Sequence, residues 1–382
     1  MNLTLSIPRA RTHRIAVSVY FFIAGITFAS WASRIPELKN KLHLSDAGLG
    51  TVLFALPVGL MASLPLSGWA VSKFGSKQVL TIAGIVYPCV LVLLGLVDSS
   101  ALLMITLFFF GLFGNLFNIS VNTQAIGVEE EYGRSIMASF HGVWSLAGFT
   151  GALIGTLMVS NVVSIFEHFC VILGLNLVLG FALNKHTLEH DGSKKDQPIF
   201  VMPDKNLLVL GLIAFGSMVC EGTMFDWSGV YFDKVVKVPR EYVTLGYVAF
   251  MSTMAGGRFI GDWITTKVGI RRMLQLSGIL ITAGLLLAVL LPTIVTATTG
   301  FLLVGLGVSS VVPLVYSAAG KSGTMTPGAS LAAVSTIGFI GFLLGPPTIG
   351  FIAEAANLRW SFTLIAVLGF STTILATRAK LK

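Results

Sequence analysis

The chain is short of charge and nearly without cysteine. Of its 382 residues, 25 are Lys or Arg and 17 are Asp or Glu, together only 11%. Soluble globular domains carry about 25% charged residues, so this composition argues strongly against a water-soluble enzyme. The three cysteines, Cys89, Cys170 and Cys220, lie far apart within apolar segments. They form no CxxC pair, which excludes a disulfide framework.

Motifs for nucleotide, metal and catalytic chemistry are also absent. Gly320 precedes Lys321 and Ser322, but Val315 stands where a phosphate-binding loop needs another Gly. The sequence has no HExxH motif and no cluster spaced for metal ligation. We therefore expect neither an ATP-driven pump nor an enzyme, and no metal or cofactor. The net charge of +8 sits in short loops, which does not indicate nucleic-acid binding.

What the chain has instead is a series of long apolar segments. A helix needs about 20 apolar residues to cross a bilayer. Twelve such segments can be drawn, at approximately 15–36, 47–71, 78–97, 101–124, 135–159, 163–184, 206–232, 242–265, 272–292, 295–318, 328–353 and 358–377. The sequence therefore predicts an all-α polytopic membrane protein with twelve transmembrane helices.

The basic residues predict its orientation and its domains. With the N-terminus inside, 17 of the 25 Lys and Arg residues face the cytoplasm, seven face outward and Arg258 lies within a helix. Positive residues favour the cytoplasmic side, so both termini are predicted to be cytoplasmic. The longest polar stretch, 185–205, divides the spans six and six. We interpret it as a cytoplasmic linker between an N-terminal bundle, 1–184, and a C-terminal bundle, 206–382.

The two halves resemble each other when one is shifted by 194 residues. The match covers the segment after the second span and its counterpart after the eighth. The paired positions are Trp69 and Trp263, Lys73 and Lys267, Gly75 and Gly269, and Lys77 and Arg271. Two six-helix halves related as parallel repeats, with solute bound between them near the midplane, are typical of secondary transporters.

The loop from Gly68 to Lys77 resembles the signature loop of the major facilitator superfamily, and residues 267–272 resemble its second copy. That resemblance implies two pseudo-symmetric six-helix bundles. The Asp of the family pattern is replaced by Ser72 and by Thr266. Asp262, with Arg258 one turn before it, is an alternative acidic contact at the inner gate of the second half.

Residues 221–228 also resemble the seventh helix of the fucose-permease-like branch, whose better-known members are sugar–proton symporters. Members of that branch carry acids in helices 1 and 4. Here the first helix has no acid before Glu37, and the fourth has Asn115 and Asn118.

Glu221 and Asp226 are acidic residues within the seventh span. At 1.5 Å per residue Glu221 falls near the middle of the bilayer, with no basic residue within a turn of its own helix. An ionisable group there is usually functional, so Glu221 is a candidate for solute binding and proton coupling. The alternative is a protonated Glu hydrogen-bonded to a neighbouring helix. Asp226 is a second proton-coupling candidate, or an outer-gate partner of Arg34; Arg34 could instead extend to the headgroups.

Further candidates for solute binding lie in spans four, five and ten. Asn115, Asn118 and Asn122 share one helical face, which favours hydrogen bonds to a hydroxyl-rich or amide-bearing solute or, alternatively, between helices. The other candidates are His141, Trp144, Ser309 and Tyr316.

Prolines and loop cations complete the set of candidate positions. Pro313 is expected to bend the tenth span, and Pro346 with Pro347 to break the eleventh. Basic residues at the cytoplasmic ends of matched helices are candidate gating residues, expected to contact helix C-termini or the acids at 129–131. They are Lys73, Lys77, Lys267 and Arg271.

These features together indicate a secondary active transporter that moves a small polar, sugar-like solute by alternating access in symport with protons. An antiporter that exports amphipathic compounds is the alternative, and a non-transporting receptor or sensor is a third. The expected partners are the solute, protons and the lipid bilayer, with the chain a monomer in a bacterial inner membrane.

Overall fold

The computed structural model describes residues 6–133, 136–189, 204–322 and 327–381. This part of the chain is helical and contains no strand. The α-helices are α1 Ser6–Lys41, α2 Asp46–Leu53, α3 Ala55–Phe74, α4 Ser76–Leu96, α5 Ser100–Tyr132, α6 Met137–Ser160, α7 Ile165–Asn184, α8 Lys205–Tyr231, α9 Leu245–Val268, α10 Ile270–Leu290, α11 Ile294–Ser309, α12 Val311–Gly320, α13 Pro327–Ala355 and α14 Leu358–Arg378. A short π-helical turn, Phe232–Val236, follows α8.

Each predicted span coincides with one helix or with two consecutive helices. The second span is α2 followed by α3, and the tenth is α11 followed by α12. Eleven helical segments of the described residues are long and apolar enough to cross a membrane. The remaining predicted span is α9, which has 24 residues and carries Arg258, Asp262 and Lys267.

The prolines have different effects in the two places where they were expected to matter. The tenth span is interrupted at Ser310, three residues before Pro313. Pro313 has no N–H to donate to the carbonyl of Ser309, which accounts for the interruption there. The predicted break at Pro346 and Pro347 is wrong, because α13 continues through both residues. Helix α2 packs along this part of α13, and a Cβ added to Gly50 would lie 2.7 Å from the carbonyl oxygen of Pro346.

The chain forms two compact units. The first unit contains residues 1–34 and 55–194, and the second contains residues 35–54 and 195–382. The end of α1 and all of α2 therefore pack with the C-terminal helices, although the predicted N-terminal bundle, 1–184, included them. The predicted linker, 185–205, contains the other change of unit, and its residues 190–203 lie outside the described part of the chain.

The same close helix contact occurs once in each unit, at positions 194 residues apart. In the first unit, a Cβ added to Gly111 would lie 2.0 Å from the carbonyl oxygen of Leu56. In the second unit, a Cβ added to Gly305 would lie 2.3 Å from that of Phe250. Only glycine allows backbones to approach so closely. The internal repeat is therefore present in the packing as well as in the sequence.

The signature loop and its copy also share one backbone conformation. Gly75 has φ 79° and ψ 151°, and Gly269 has φ 83° and ψ 154°. Residues with a Cβ are almost never found in this region, so both loops require glycine at this position.

A lysine lies over an exposed tryptophan beside each of these glycines. Lys73 Nζ is 5.0 Å from the centre of the Trp69 ring, and Lys267 Nζ is 3.7 Å from that of Trp263. Cations attract aromatic faces at these distances, and tryptophan is enriched at the membrane interface. Both pairs are thus suited to hold the ends of their helices at that interface.

The conformation of the two loop glycines generates a prediction. We expect Gly75→Ala and Gly269→Ala each to lower the free energy of unfolding by about 1–3 kcal/mol, because alanine is strained at this φ and ψ. Thermal unfolding of the purified protein measures the effect as a lower Tm. Gly68→Ala, on the exposed face of helix α3 with nothing within 4 Å of an added Cβ, is the control and should not lower the Tm. Equal Tm values for all three variants would contradict the prediction.

Candidate functional site

Glu221 lies near the middle of α8 and contacts an arginine of α9. Its exposed fraction is 7%, and its Oε1 is 3.4 Å from a terminal guanidinium nitrogen of Arg258. The sequence offered no basic partner on the same helix, and the structure supplies one from the neighbouring helix. Arg258 was expected at the inner gate with Asp262, whose side chain is not among those described. Arg258 forms an ion pair with Glu221, and its predicted contact with Asp262 stays a prediction.

One hydroxyl-bearing residue, Tyr316, interacts with the acid of this ion pair. Tyr316 of α12 forms a hydrogen bond with Ser335 of α13 and interacts electrostatically with Glu221. The structure therefore brings two predicted solute-binding residues, Tyr316 and Glu221, into one neighbourhood of the second unit. Ser309 is also in this unit, buried against Gly257, the residue that precedes Arg258.

Asp226 and Arg34 fall in different units, and their predicted pairing stays a prediction. Arg34 is fully buried in the first unit. Its Nε donates to Nδ1 of His168 at 3.1 Å, and a terminal nitrogen donates to the carbonyl oxygen of Val163 at 2.9 Å. Asp226 makes no hydrogen bond or ion pair to another described residue of the second unit. It is an acidic group whose surroundings there supply no counter-charge.

The three asparagines of α5 differ in their surroundings. The Asn115 amide is buried and donates to Oγ of Ser63 in α3 at 2.6 Å, so it joins two helices. Asn122 donates to the carbonyl and side-chain oxygens of Asn118 at 2.8 and 3.0 Å. Asn118 is exposed and Asn122 half-buried. The solute-binding role of the stripe stays a prediction, and these two amides are the accessible ones.

The aromatic candidates of α6 face α1. The ring of His141 meets Phe21 edge-on with centroids 5.4 Å apart. Trp144 lies 6.4 Å from the ring of Phe28. Both contacts belong to the helix packing of the first unit, and a role in binding solute stays a prediction for these two residues.

The four basic residues that were predicted to act in gating at the cytoplasmic side make different kinds of contact. Lys77 forms an ion pair of 2.6 Å with Glu189 at the start of the predicted linker. Arg271 donates to the carbonyl oxygen of Ala379, at the C-terminal end of α14, at 3.2 Å. Lys73 and Lys267 lie over tryptophan rings. Within the described residues, no ion pair to the acids at 129–131 is formed by any of these four.

The acidic residues at 129–131 make contacts within the first unit. Glu129 accepts hydrogen bonds from the backbone N–H groups of Ile136 and Met137, at the start of α6. Glu131 lies 2.8 Å from Nδ1 of His13. These acids therefore hold α6 and α1 against the end of α5.

Sequence reasoning missed a charged network at the outer end of the second unit. Its centre is Asp46, the first residue of α2, which pairs with the buried Lys39 of α1 and lies 2.9 Å from Lys234. Glu354 of α13 accepts from the backbone N–H groups of Asp46 and Ala47, at 3.0 and 3.3 Å. An acid at a helix N-terminus is stabilised by the unpaired N–H groups there. This network, called the Asp46 cluster below, ties residues 35–54 to the π-helical turn after α8 and to α13.

Two further contacts extend the same attachment. Arg240 lies 3.0 Å from Glu37, and Asn40 donates to Asp233 at 3.3 Å. The sequence signals such pairs only through opposite charges at positions far apart in the chain. Many different pairings of these residues are compatible with that signal, so it does not identify the contacts.

The different surroundings of the asparagines generate a prediction. We expect Asn115→Ala to cost about 1 kcal/mol of stability, because it leaves buried Ser63 without its donor. Asn122→Ala, at a half-buried position with a partner on its own helix, should change stability little. Thermal unfolding of the two variants compares them, and a larger loss for Asn122→Ala would contradict this assignment.

The Asp46 cluster generates a second prediction. Replacing Asp46 by Asn leaves buried Lys39 facing Lys234 without their shared anion, and breaking a buried ion pair costs about 3–5 kcal/mol. We expect residues 35–54 to detach more often, so that amide hydrogen exchange in α2 accelerates. The control is Asp98→Asn, at an exposed acid in the loop before α5. Unchanged exchange in α2 after Asp46→Asn would show that the cluster does not hold the segment.

Comparison with known proteins agrees with this architecture. The family model of the Major Facilitator Superfamily matches residues 16–327. An uncharacterised MFS-type transporter of Yersinia pestis is 34% identical over 358 residues, which cover 94% of this chain and 93% of that protein. The membrane protein MosC of Rhizobium meliloti is 32% identical over 359 residues, covering 93% and 87%. A solved bacterial homologue of the human lysosomal transporter Spinster, inward-facing and unoccupied, aligns over 97% of this chain and 98% of its own with a TM-score of 0.76 at 15% identity. The chain belongs to the Major Facilitator Superfamily of membrane transporters, and is a multi-pass integral protein of the bacterial inner membrane.

Proposed function

We propose that this transporter carries a small polar, sugar-like solute together with protons, and that Glu221 is the group that takes up and releases the proton. The observation that carries the proposal is the buried contact between Glu221 and Arg258. A carboxyl group inside a membrane helix is costly to keep and is usually functional.

The arginine gives the carboxyl group two defined states. When Glu221 is ionised, Arg258 compensates its charge, and the pair is neutral as a whole. When Glu221 is protonated, the attraction between α8 and α9 at this point is lost. A change of protonation therefore alters a contact between helices, which can bias the equilibrium between conformations.

We infer the character of the solute from the polar groups that each unit presents by itself. In the second unit the hydroxyl group of Tyr316 interacts electrostatically with Glu221, and in the first unit the amides of Asn118 and Asn122 are accessible. Hydroxyl and amide groups both donate and accept hydrogen bonds, which suits a hydroxyl-bearing solute. The resemblance of residues 221–228 to the fucose-permease-like branch supports the same class.

Antiport is the second candidate, because Glu221 lies in aromatic surroundings that would also suit an amphipathic compound. Phe225, one turn from Glu221, contacts Phe250 and Tyr247 of α9 at centroid distances of 5.7 and 6.3 Å.

Right-side-out and inside-out vesicles with an imposed pH gradient separate the two directions of transport. Symport predicts that solute moves with the protons, and antiport predicts that it moves against them.

Replacing Glu221 by Gln tests the proton role. Glutamine keeps the shape and hydrogen bonding of the side chain but cannot release a proton. We expect Glu221→Gln to exchange solute across proteoliposomes, yet to lose its gradient-driven accumulation, by tenfold or more. The pH dependence of solute binding should also disappear.

Asp226→Asn is the matched control, because it removes the neighbouring acid of the same helix. It should keep gradient-driven accumulation if Glu221 alone carries the proton. If Glu221→Gln still concentrates solute and Asp226→Asn does not, the proton role passes to Asp226.

A further inference from the structure

The first unit contains a cleft of about 260 Å³ between α1, α4 and α7. It is lined by apolar side chains together with the polar residues Tyr20, Thr81, Asn176 and Asn184. We propose that this cleft is a binding site for a neutral amphiphile from the bilayer, a hydroxyl group on an apolar chain, and that the hydroxyl donates a hydrogen bond to Oδ1 of Asn176. All of these residues belong to the first unit, so the site is independent of the role proposed for Glu221 in the second.

Asn176 of α7 supplies an acceptor at the cleft. Its exposed fraction is 1%, and its amide nitrogen donates to Oγ1 of Thr27 of α1 at 2.7 Å. Its Oδ1 accepts no hydrogen bond from any residue in the described part of the chain. Leaving a buried polar atom unpaired is unfavourable, so a ligand that donates a hydrogen bond to this oxygen is stabilised in the cleft.

The remaining polar groups of the cleft are engaged with one another. Oη of Tyr20 donates to the carbonyl oxygen of Gly180 at 3.1 Å and lies 3.4 Å from Oδ1 of Asn184. Oγ1 of Thr81 lies 2.9 Å from the same atom of Asn184. None of the described residues that line the cleft carries a charge at neutral pH. The unused acceptor therefore favours a neutral ligand that offers one hydrogen-bond donor, as an alcohol does.

The space for a ligand arises where the packing of the two units differs. In the second unit α10 packs directly on α14, and a Cβ added to Gly278 would lie 2.7 Å from the carbonyl oxygen of Gly369. Gly84 occupies the matching position of α4, 194 residues earlier. A Cβ added to Gly84 would meet the rings of Phe117 and Tyr20 at 3.4 and 3.6 Å, and no described atom of α7 nearer than 4 Å. Helices α4 and α7 are therefore further apart at this level than their counterparts, and the cleft lies between them.

The cleft opens on a surface that faces lipid. Phe181 lines it and is 63% exposed, and Ile82 of α4 and Val178 of α7 are exposed apolar residues as well. Both helices are long and apolar enough to cross a membrane, so their exposed apolar surface contacts acyl chains. Pockets that enclose a drug-sized ligand measure about 300–1,000 Å³. This smaller cleft therefore holds the hydroxyl end of an amphiphile, while the rest of its chain lies in the bilayer.

Photolabelling of the full-length protein in phosphatidylcholine nanodiscs tests the site. The probe is 1-decanol with a diazirine in its chain, and mass spectrometry identifies the labelled peptides. We expect labels on residues 81–85 and 177–184. Unlabelled 1-decanol should compete with the probe. Methyl decyl ether has no donor and should need about a tenfold higher concentration, because it forms no hydrogen bond with Asn176.

Two variants remove different parts of the site. Gly180→Leu places a side chain in the cleft, where an added Cβ would meet only the hydroxyl of Tyr20, at 4.0 Å, and it should abolish the labelling. Asn176→Leu keeps the size of the side chain but removes the acceptor, so 1-decanol and methyl decyl ether should compete equally. Thr27 keeps its own hydrogen bond to a backbone carbonyl in that variant. Gly174→Leu, on the same helix outside the cleft with nothing within 4 Å of an added Cβ, is the matched control and should be labelled as the wild type is.

Each outcome bears on a separate part of the proposal. Labels spread evenly over the lipid-facing helices, or labelling of α4 and α7 that survives in Gly180→Leu, would overturn the site. Equal competition by 1-decanol and methyl decyl ether in the wild type would overturn the hydroxyl contact with Asn176. Competition by 1,2-dioctanoylglycerol as well as by 1-decanol supports a neutral glycerolipid as the source of the hydroxyl, and competition by 1-decanol alone supports a free long-chain alcohol.

Discussion

An apolar interior tolerates charge only where it is compensated, and the second unit of this transporter is organised around one such compensation. Glu221 and Arg258 reach each other from α8 and α9 across the middle of the membrane-spanning region. Burying either charge alone would be strongly unfavourable. Because the pair is the point where a proton can change the balance of charge, the proposed coupling depends on it.

The outer end of the same unit uses charge in a different way. Residues 35–54 follow directly from α1 but pack with the C-terminal helices, and Asp46 joins Lys39, Lys234 and Glu354 at that place. The segment is covalently continuous with the first unit and is held in the second by these polar contacts. The Asp46 cluster therefore determines how firmly residues 35–54 are attached to the second unit.

The sequence predicted the spans and the repeat because both are local or periodic properties. Apolar length identified each span in the described part of the chain, though not the division of the second and tenth spans into two helices. The 194-residue shift identified the glycines at 75 and 269, whose shared backbone conformation the structure shows. The partner of Glu221 was not predicted, because Arg258 is 37 residues away and a single sequence does not show which helices pack together. The prolines at 346 and 347 were misjudged for a related reason: proline weakens a helix locally, but packing against α2 preserves it.

The central claim is that Glu221 changes its protonation state inside the folded protein. Infrared difference spectroscopy between pH 5.5 and 8 measures this directly, because a protonated carboxyl group has a carbonyl stretching band that is separate from those of the carboxylate and of the amide. The account predicts a band for a buried protonated carboxyl group that appears at low pH in the wild type and in Asp226→Asn and is absent in Glu221→Gln. The same band in Glu221→Gln, or no such band in the wild type across this range, would contradict it.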